Sequence, residues 1–244
     1  MEFMNVAATA KKDTLSLTTL IGANLIPLAG VFFFNWDVTF IILLYWAENL
    51  IAGFYNILKI ALVREGNSAF SPQKLFIIPF FCIHYGGFCA VHGFFLTAFF
   101  KLGSNTSPIP DGGAIWWGPF IFIQMLINVV ARVWSSAPPE MIWALLGLFI
   151  SHGVSFVENF ILGGEYRQST IKELMHQPYQ RIVVMHIAII AAGIFVMKFN
   201  SPMPMLVILI LLKIAFDLFL HRKSHKQKTT KKTARSTGAP AAAD

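Results

Sequence analysis

The sequence predicts an all-α fold, a polytopic bundle of about seven transmembrane helices (six if the first run is re-entrant) with one short helix lying in the interface. Three observations carry that expectation. Apolar runs of about 20 residues recur along the chain, each long enough to cross ~30 Å of hydrocarbon at ~1.5 Å per residue. Charged residues make up 13% of the 244 positions, about half the share a soluble domain of this length carries. Hydrophobic residues make up 56%, and the mean hydropathy is +0.63.

The elements follow in order. Residues 1–14 are a polar N-terminus with no cleavage site after the first apolar run, so that run, Leu15 to Phe34, reads as a retained span interrupted by Asn24, Pro27 and Gly30. Only Asn35, Trp36 and Asp37 separate it from the second, Val38 to Leu62. Ser71 as N-cap and Pro72 at the first helical position open the third, which runs to about Phe100 with a kink expected at Pro79. GSNTSPIPDGG is a polar loop, and Trp116–Trp117 open a fourth span, Ile115 to Val133, as an interfacial pair. SSAPPE ends it, and the fifth runs from Pro139 to about Gly163.

GEYRQSTIKELMHQPYQR is different in kind. Thr170-x-x-Glu173 is a capping box, and Ile171, Leu174 and Met175 share a face, which predicts a short helix lying in the interface. The sixth span is then Ile182 to Phe199 and the seventh Met205 to about His221. Together residues 15–221 form the helical domain, and 222–244 a basic, disordered tail.

The net charge of +7 is local in origin. Arg222, Lys223, Lys226, Lys228, Lys231, Lys232 and Arg235 all lie in the tail, where they suit a cytoplasmic anchor touching anionic headgroups. No nucleic-acid module accompanies them. With strictly alternating spans, Lys11, Lys12, Lys59, Arg64, Lys74, Arg132 and Lys198 fall on the N-terminal side. Lys101, Arg167, Lys172 and Arg181 fall with the tail, so loops and tail favour opposite orientations. Cys82 and Cys89 are ~10 Å apart along a helix, too far for a mutual disulfide. A faint echo, ENLIAG (48–53) and ENFILG (158–163), would put two spans in inverted relation, although the glutamates sit at different depths.

Ionisable groups inside spans cost roughly 2.5–3.5 kcal/mol each and commonly face a partner or a cavity. Here they are numerous: Glu48, His84, His92, His152, Glu158, His186, Lys213, Asp217 and His221. Counted inward with alternate spans reversed, Glu48, His92, His152, His186 and Asp217 fall in one slab about 6 Å thick. Three imidazoles and two carboxylates at one height match the donors of a divalent metal such as Zn or Fe. In that reading His92, His152 and His186 bind the metal, and Glu48 or Asp217 ligates or serves as general base. His84, Tyr85, Asn49, Glu158, Lys213 and His221 would line the approach or support the ligands. Gly86, Gly87, Gly93, Ser151 and Gly153 allow close helix packing beside these positions. Cys89 has the spacing to join His92 but suits an inert apolar role, and Lys213 pairs naturally with Asp217 at i, i+4.

YWAEN (45–49), HYGGF (84–88) and K-x3-D-x3-H (213, 217, 221) resemble a bacterial inner-membrane family known as a domain of unknown function, over most of the chain apart from the tail. The resemblance implies an inner-membrane location and weight on these positions, with no reaction or substrate attached. A looser similarity is to the seven-span zinc hydrolases of the alkaline ceramidase and adiponectin-receptor type, which hold zinc with three histidines. Their terminal H-x3-H is here Asp217-x3-His221, so the ligand order differs.

Three classes of function follow. One is a metal-dependent hydrolase acting on a lipid-phase substrate. The second is a proton-coupled transporter or channel using the same groups as a relay. The third is a structural or assembly subunit whose histidines satisfy one another. Haem between a histidine pair is a weaker variant of the first. Nothing in the sequence resembles a phosphate loop or a serine or cysteine nucleophile motif.

Overall fold

The computed structural model describes residues 29–64, 71–102, 113–199, 203–204, 206–212 and 214–215. All regular structure among the described residues is helical. Residues 37–206 form one compact unit; residues 1–36 and 207–244 make up the other. Within the latter, residues 29–34 (α1) are helical and are followed by a turn in which the Trp36 N–H donates to Gly30 O at 3.1 Å. A Cβ on Gly30 would stand 2.2 Å from the Trp36 ring, which is why only glycine fits there. Residues 206–212 (α7) are helical. The first and seventh spans are therefore seen only in part, and Lys213, Asp217, His221 and the tail lie outside the described residues.

The larger unit is built from α2 (Val38–Leu62), α3 (Pro72–Phe99), α4 (Ile121–Ser136, entered through a 3-10 turn Gly118–Phe120), α5 (Pro139–Ser155) and α6 (Ile171–Phe199). Four stretches, Val38–Leu62, Pro72–Phe99, Gly118–Ser136 and Pro139–Leu162, are long and apolar enough to cross a membrane. The second and third spans thus match their expected bounds almost to the residue. The fourth begins later than expected, because Ile115, Trp116 and Trp117 are extended rather than helical. The fifth continues past Ser155 as a π-helical turn, Phe156–Leu162, closed by Gly163 N–H donating to Glu158 O at 2.8 Å.

α2 is the central helix and packs on α3, α5 and α6. Asp37 caps its N-terminus, its carboxylate accepting from Thr39 N–H at 2.7 Å. At the other end the buried Lys74 donates to Ala61 O at 3.0 Å and Val63 O at 2.5 Å. A cation from α3 thereby satisfies the orphan carbonyls and complements the negative end of the α2 dipole. α2 and α3 are antiparallel: Trp46 Nε1–H donates to Cys89 O at 2.8 Å, and Tyr85 O–H donates to Asn49 O at 2.9 Å. A Cβ on Gly53 would lie 2.5 Å from the Tyr85 ring, and one on Gly93 2.5 Å from Trp46 and 2.6 Å from Val129. Without side chains at these points three helices close onto each other.

α4 runs parallel to α3, not antiparallel. Gly87 faces Phe122 and, six residues on, Gly93 faces Val129. The connection from Phe99 to Gly118 therefore begins at one end of the pair and finishes towards the other. Its described final stretch stays paired through the buried Gln124, which accepts from Trp116 N–H at 3.0 Å and donates to Ala114 O at 2.8 Å. Non-helical backbone at membrane depth requires such partners.

α5 consequently runs parallel to α2, since Phe149, His152 and Phe156 all lie against Tyr55 while Phe160 reaches the neighbourhood of Ile60 and Val63. This overturns the inverted relation suggested by ENLIAG and ENFILG. It also gathers Lys59, Arg64, Lys74, Arg167 and Lys172 towards the end where α2 finishes, hereafter the Leu62 end. α6 is a single helix through Pro178, not an interfacial helix followed by a separate span. The expected capping box is present, with Glu173 N–H donating to Thr170 Oγ1 at 3.2 Å and Thr170 N–H to Glu173 Oε2 at 2.9 Å. Ile171, Leu174 and Met175 do share a face, but it packs on a core of Ile60, Val63, Phe81 and Phe160.

Candidate functional site

Two polar side chains of α6, His186 and Arg181, meet partners that lie deeper on other helices. His186 Nδ1 lies 2.8 Å from His92 Nε2 on α3. The rings stand 5.1 Å apart between centroids at 43°, a direct edge contact rather than a stack. Only one proton can sit between those two nitrogens, so one imidazole donates and the other accepts. His92 is 3% exposed, whereas His186 opens outward. Further towards the α6 N-terminus, Arg181 Nη1 donates to Glu48 Oε1 at 2.8 Å, and His152 Nε2 stands 3.8 Å from the same oxygen. His152 stacks on Tyr55 at 6.2 Å, and Tyr55 O–H donates to Phe149 O at 3.0 Å, which ties α2 to α5 beside the carboxylate.

The expected five-residue set is thus divided. His92 joins His186, and Glu48 joins His152, while Asp217 lies outside the described residues. Among the described residues no three His, Cys, Asp or Glu side chains stand close enough together to hold a metal ion. The facing nitrogens of His92 and His186 are engaged with each other, which leaves His92 Nδ1 and His186 Nε2 as the pair's outer atoms.

The supporting residues are distributed as follows. His84 Nδ1 lies 2.7 Å from the Tyr179 hydroxyl, on the outward side of α3. Tyr85 is buried and holds the Asn49 carbonyl, and the Asn49 side chain donates to Tyr45 O at 2.9 Å. Glu158 is exposed on the π-helical turn, away from both pairs. Cys89 is buried, its carbonyl taken by Trp46. His176 is exposed. Arg181 and Tyr179 are the functional neighbours that sequence reasoning missed. Both precede the expected start of the sixth span at Ile182, so they counted as loop residues.

Two cavities flank these pairs. An apolar groove of about 670 Å³ runs along α3 beside α4, with Phe76, Phe80, Phe88 and Phe122 on its walls and His84, His92 and His186 at its rim. A polar pocket of about 260 Å³ lies between α2, α5 and α6 and includes His152 and Arg181.

Residues 7–234 match the family described as a family of unknown function, DUF6498, and the chain belongs to it. No curated protein and no solved structure matches the chain.

Proposed function

We propose that this family member is a proton-coupled transporter or channel of the inner membrane in which His92 and His186 pass the proton. The observation that supports this most is the direct ring-to-ring hydrogen bond inside an apolar helix pair. An imidazole accepts a proton on one nitrogen and releases another from the opposite one. Two rings in contact extend that exchange across the α3–α6 interface, from His92 Nδ1 to His186 Nε2. Glu48 and His152 supply a second exchangeable pair one to two turns nearer the Leu62 end. Among the described residues that end gathers the basic residues Lys59, Arg64, Lys74, Arg167 and Lys172, against Lys101, Arg132 and Lys198 at the other. In this reading the Leu62 end is therefore cytoplasmic.

The test is proton flux into vesicles containing purified protein and a trapped pH dye, driven by an imposed potential. The expected result is flux above empty vesicles that falls about tenfold or more in His92→Ala and His186→Ala, the scale on which positioned proton-transfer groups act. Flux equal to empty vesicles overturns the proposal. So does one tightly held metal ion per chain that His92→Ala removes, since the pair would then be part of a metal site.

A further inference from the structure

We infer that the polar pocket between α2, α5 and α6 is a binding site for an oxyanion, a phosphate group or a carboxylate. This site shares His152 with the second exchangeable pair but does not rest on the proton reading. The pocket is lined by Asn56 and Lys59 of α2, His152 and Ser155 of α5, and Gln177 and Arg181 of α6. On α2 these are i and i+3, on α5 i and i+3, and on α6 i and i+4, so each helix turns one polar stripe into the same space.

Two features point to an anion. The first is a buried donor left without a partner. Asn56 is 4% exposed, and its Nδ2 has no hydrogen-bond partner among the described residues. Buried amides are nearly always satisfied, so a lone NH2 beside a cavity marks an absent acceptor.

The second is the balance of charge. Glu48 engages Arg181 through Nη1 and approaches His152, which neutralises one of the two permanent cations. Lys59 remains. Among the described residues no carboxylate pairs with it, and its Nζ faces the Phe160 ring at 5.6 Å. Arg181 keeps further N–H groups beyond the one given to Glu48. The cavity therefore offers an ammonium, a guanidinium edge, an amide NH2, a hydroxyl and a second amide, with no acidic side chain on its wall. Such a donor set fits a group that only accepts.

Its depth is consistent. Lys59 lies in the last turn of α2 and Gln177 in the second turn of α6, so the pocket starts at the Leu62 end. A headgroup phosphate or a free anion arriving from that side reaches it without crossing the apolar interior.

Two arms distinguish the sources. In the first, inorganic phosphate is titrated into protein in neutral detergent and thermal stability is followed. In the second, the protein is placed in phosphatidylcholine nanodiscs with and without phosphatidylglycerol, and retained lipid is counted by native mass spectrometry. Saturable stabilisation by phosphate identifies a free anion; selective retention of phosphatidylglycerol identifies a headgroup. Either supports the site provided that Lys59→Gln and Asn56→Leu each weaken it about tenfold, the loss expected for one charge-assisted or buried hydrogen bond. Lys172→Gln, an exposed cation outside the pocket, is expected to change it less than about twofold, as a solvated charge would. No saturable effect in either arm overturns the proposal, as does an equal loss in Lys172→Gln. Phe88→Leu, on the other side of α3, serves as a folding control and should leave binding unchanged.

Discussion

Two of the polar contacts between α6 and the rest of the bundle differ in kind. Arg181 and Glu48 form an ion pair at 2.8 Å in which the guanidinium is permanently charged and half exposed. His92 and His186 meet at the same 2.8 Å but carry no obligatory charge. The first holds its geometry through a charge-assisted hydrogen bond between groups of opposite charge. The second has two hydrogen-bonding arrangements, since either ring can be the donor when both rings change tautomer. The comparison separates a contact that fixes the helices from one that can change state without moving them.

The largest effect that would break this contrast falls on the ion pair. Arg181→Ala removes the ion pair of Glu48, and the expected loss is near the low end of the ~3–5 kcal/mol seen when one partner of a buried pair is removed, because Arg181 is half exposed. Thermal unfolding in detergent would measure it. Glu48→Gln with Arg181→Ala should recover part of the loss, and a double mutant that is simply additive would contradict the pairing. His92→Ala comes next. It removes one neutral hydrogen bond and leaves an exposed His186, so it should cost about 1 kcal/mol of hydrogen-bond stability and a share of packing, while lowering proton flux about tenfold or more. Arg181→Ala should do the reverse, reducing stability more than flux per folded molecule. The smallest effect is expected at His84, which is exposed and bonded to Tyr179. His84→Phe should change stability by less than about 0.5 kcal/mol, the range for surface substitutions, and leave flux intact.

How much of this was legible in the sequence depends on what each signal measures. The ends of α2 and α3 were readable because Asp37, Ser71 and Pro72 mark them chemically and hydrophobic runs fill the interval. The heights of Glu48, His92, His152 and His186 were readable for a different reason. His152 and His186 lie near the middle of the two helices whose direction is reversed, so counting from the wrong end changes their depth little. That is why two contacts form although α5 and α6 run opposite to the alternating order. Pairing was not legible. Nothing in spacing along one helix says which neighbour a histidine meets, and the pattern favoured one five-membered cluster where the described part holds two pairs.

α6 was misread at Pro178, where proline and the polar residues around it suggest a break. The face made by Ile171 and Leu174 was identified correctly, but periodicity alone cannot distinguish lipid from Phe81 and Phe160 as its cover. Lys74 and Gln124 were unremarkable as sequence; only the antiparallel approach of α3 to the α2 C-terminus, and the extended stretch at 113–117, give them their carbonyls and amides to hold.

The parallel course of α3 and α4 reaches beyond those two helices. Finding apolar segments and assigning them alternating signs are separate operations, and here the second slips out of phase at α4. α5 and α6 inherit the reversed sign, so Arg167 and Lys172 move from the face opposite Lys59 to the face they share with it. One return from Phe99 to Gly118, its described final stretch held by Gln124, thereby brings Lys59, Arg167 and Lys172 to the same end of the bundle.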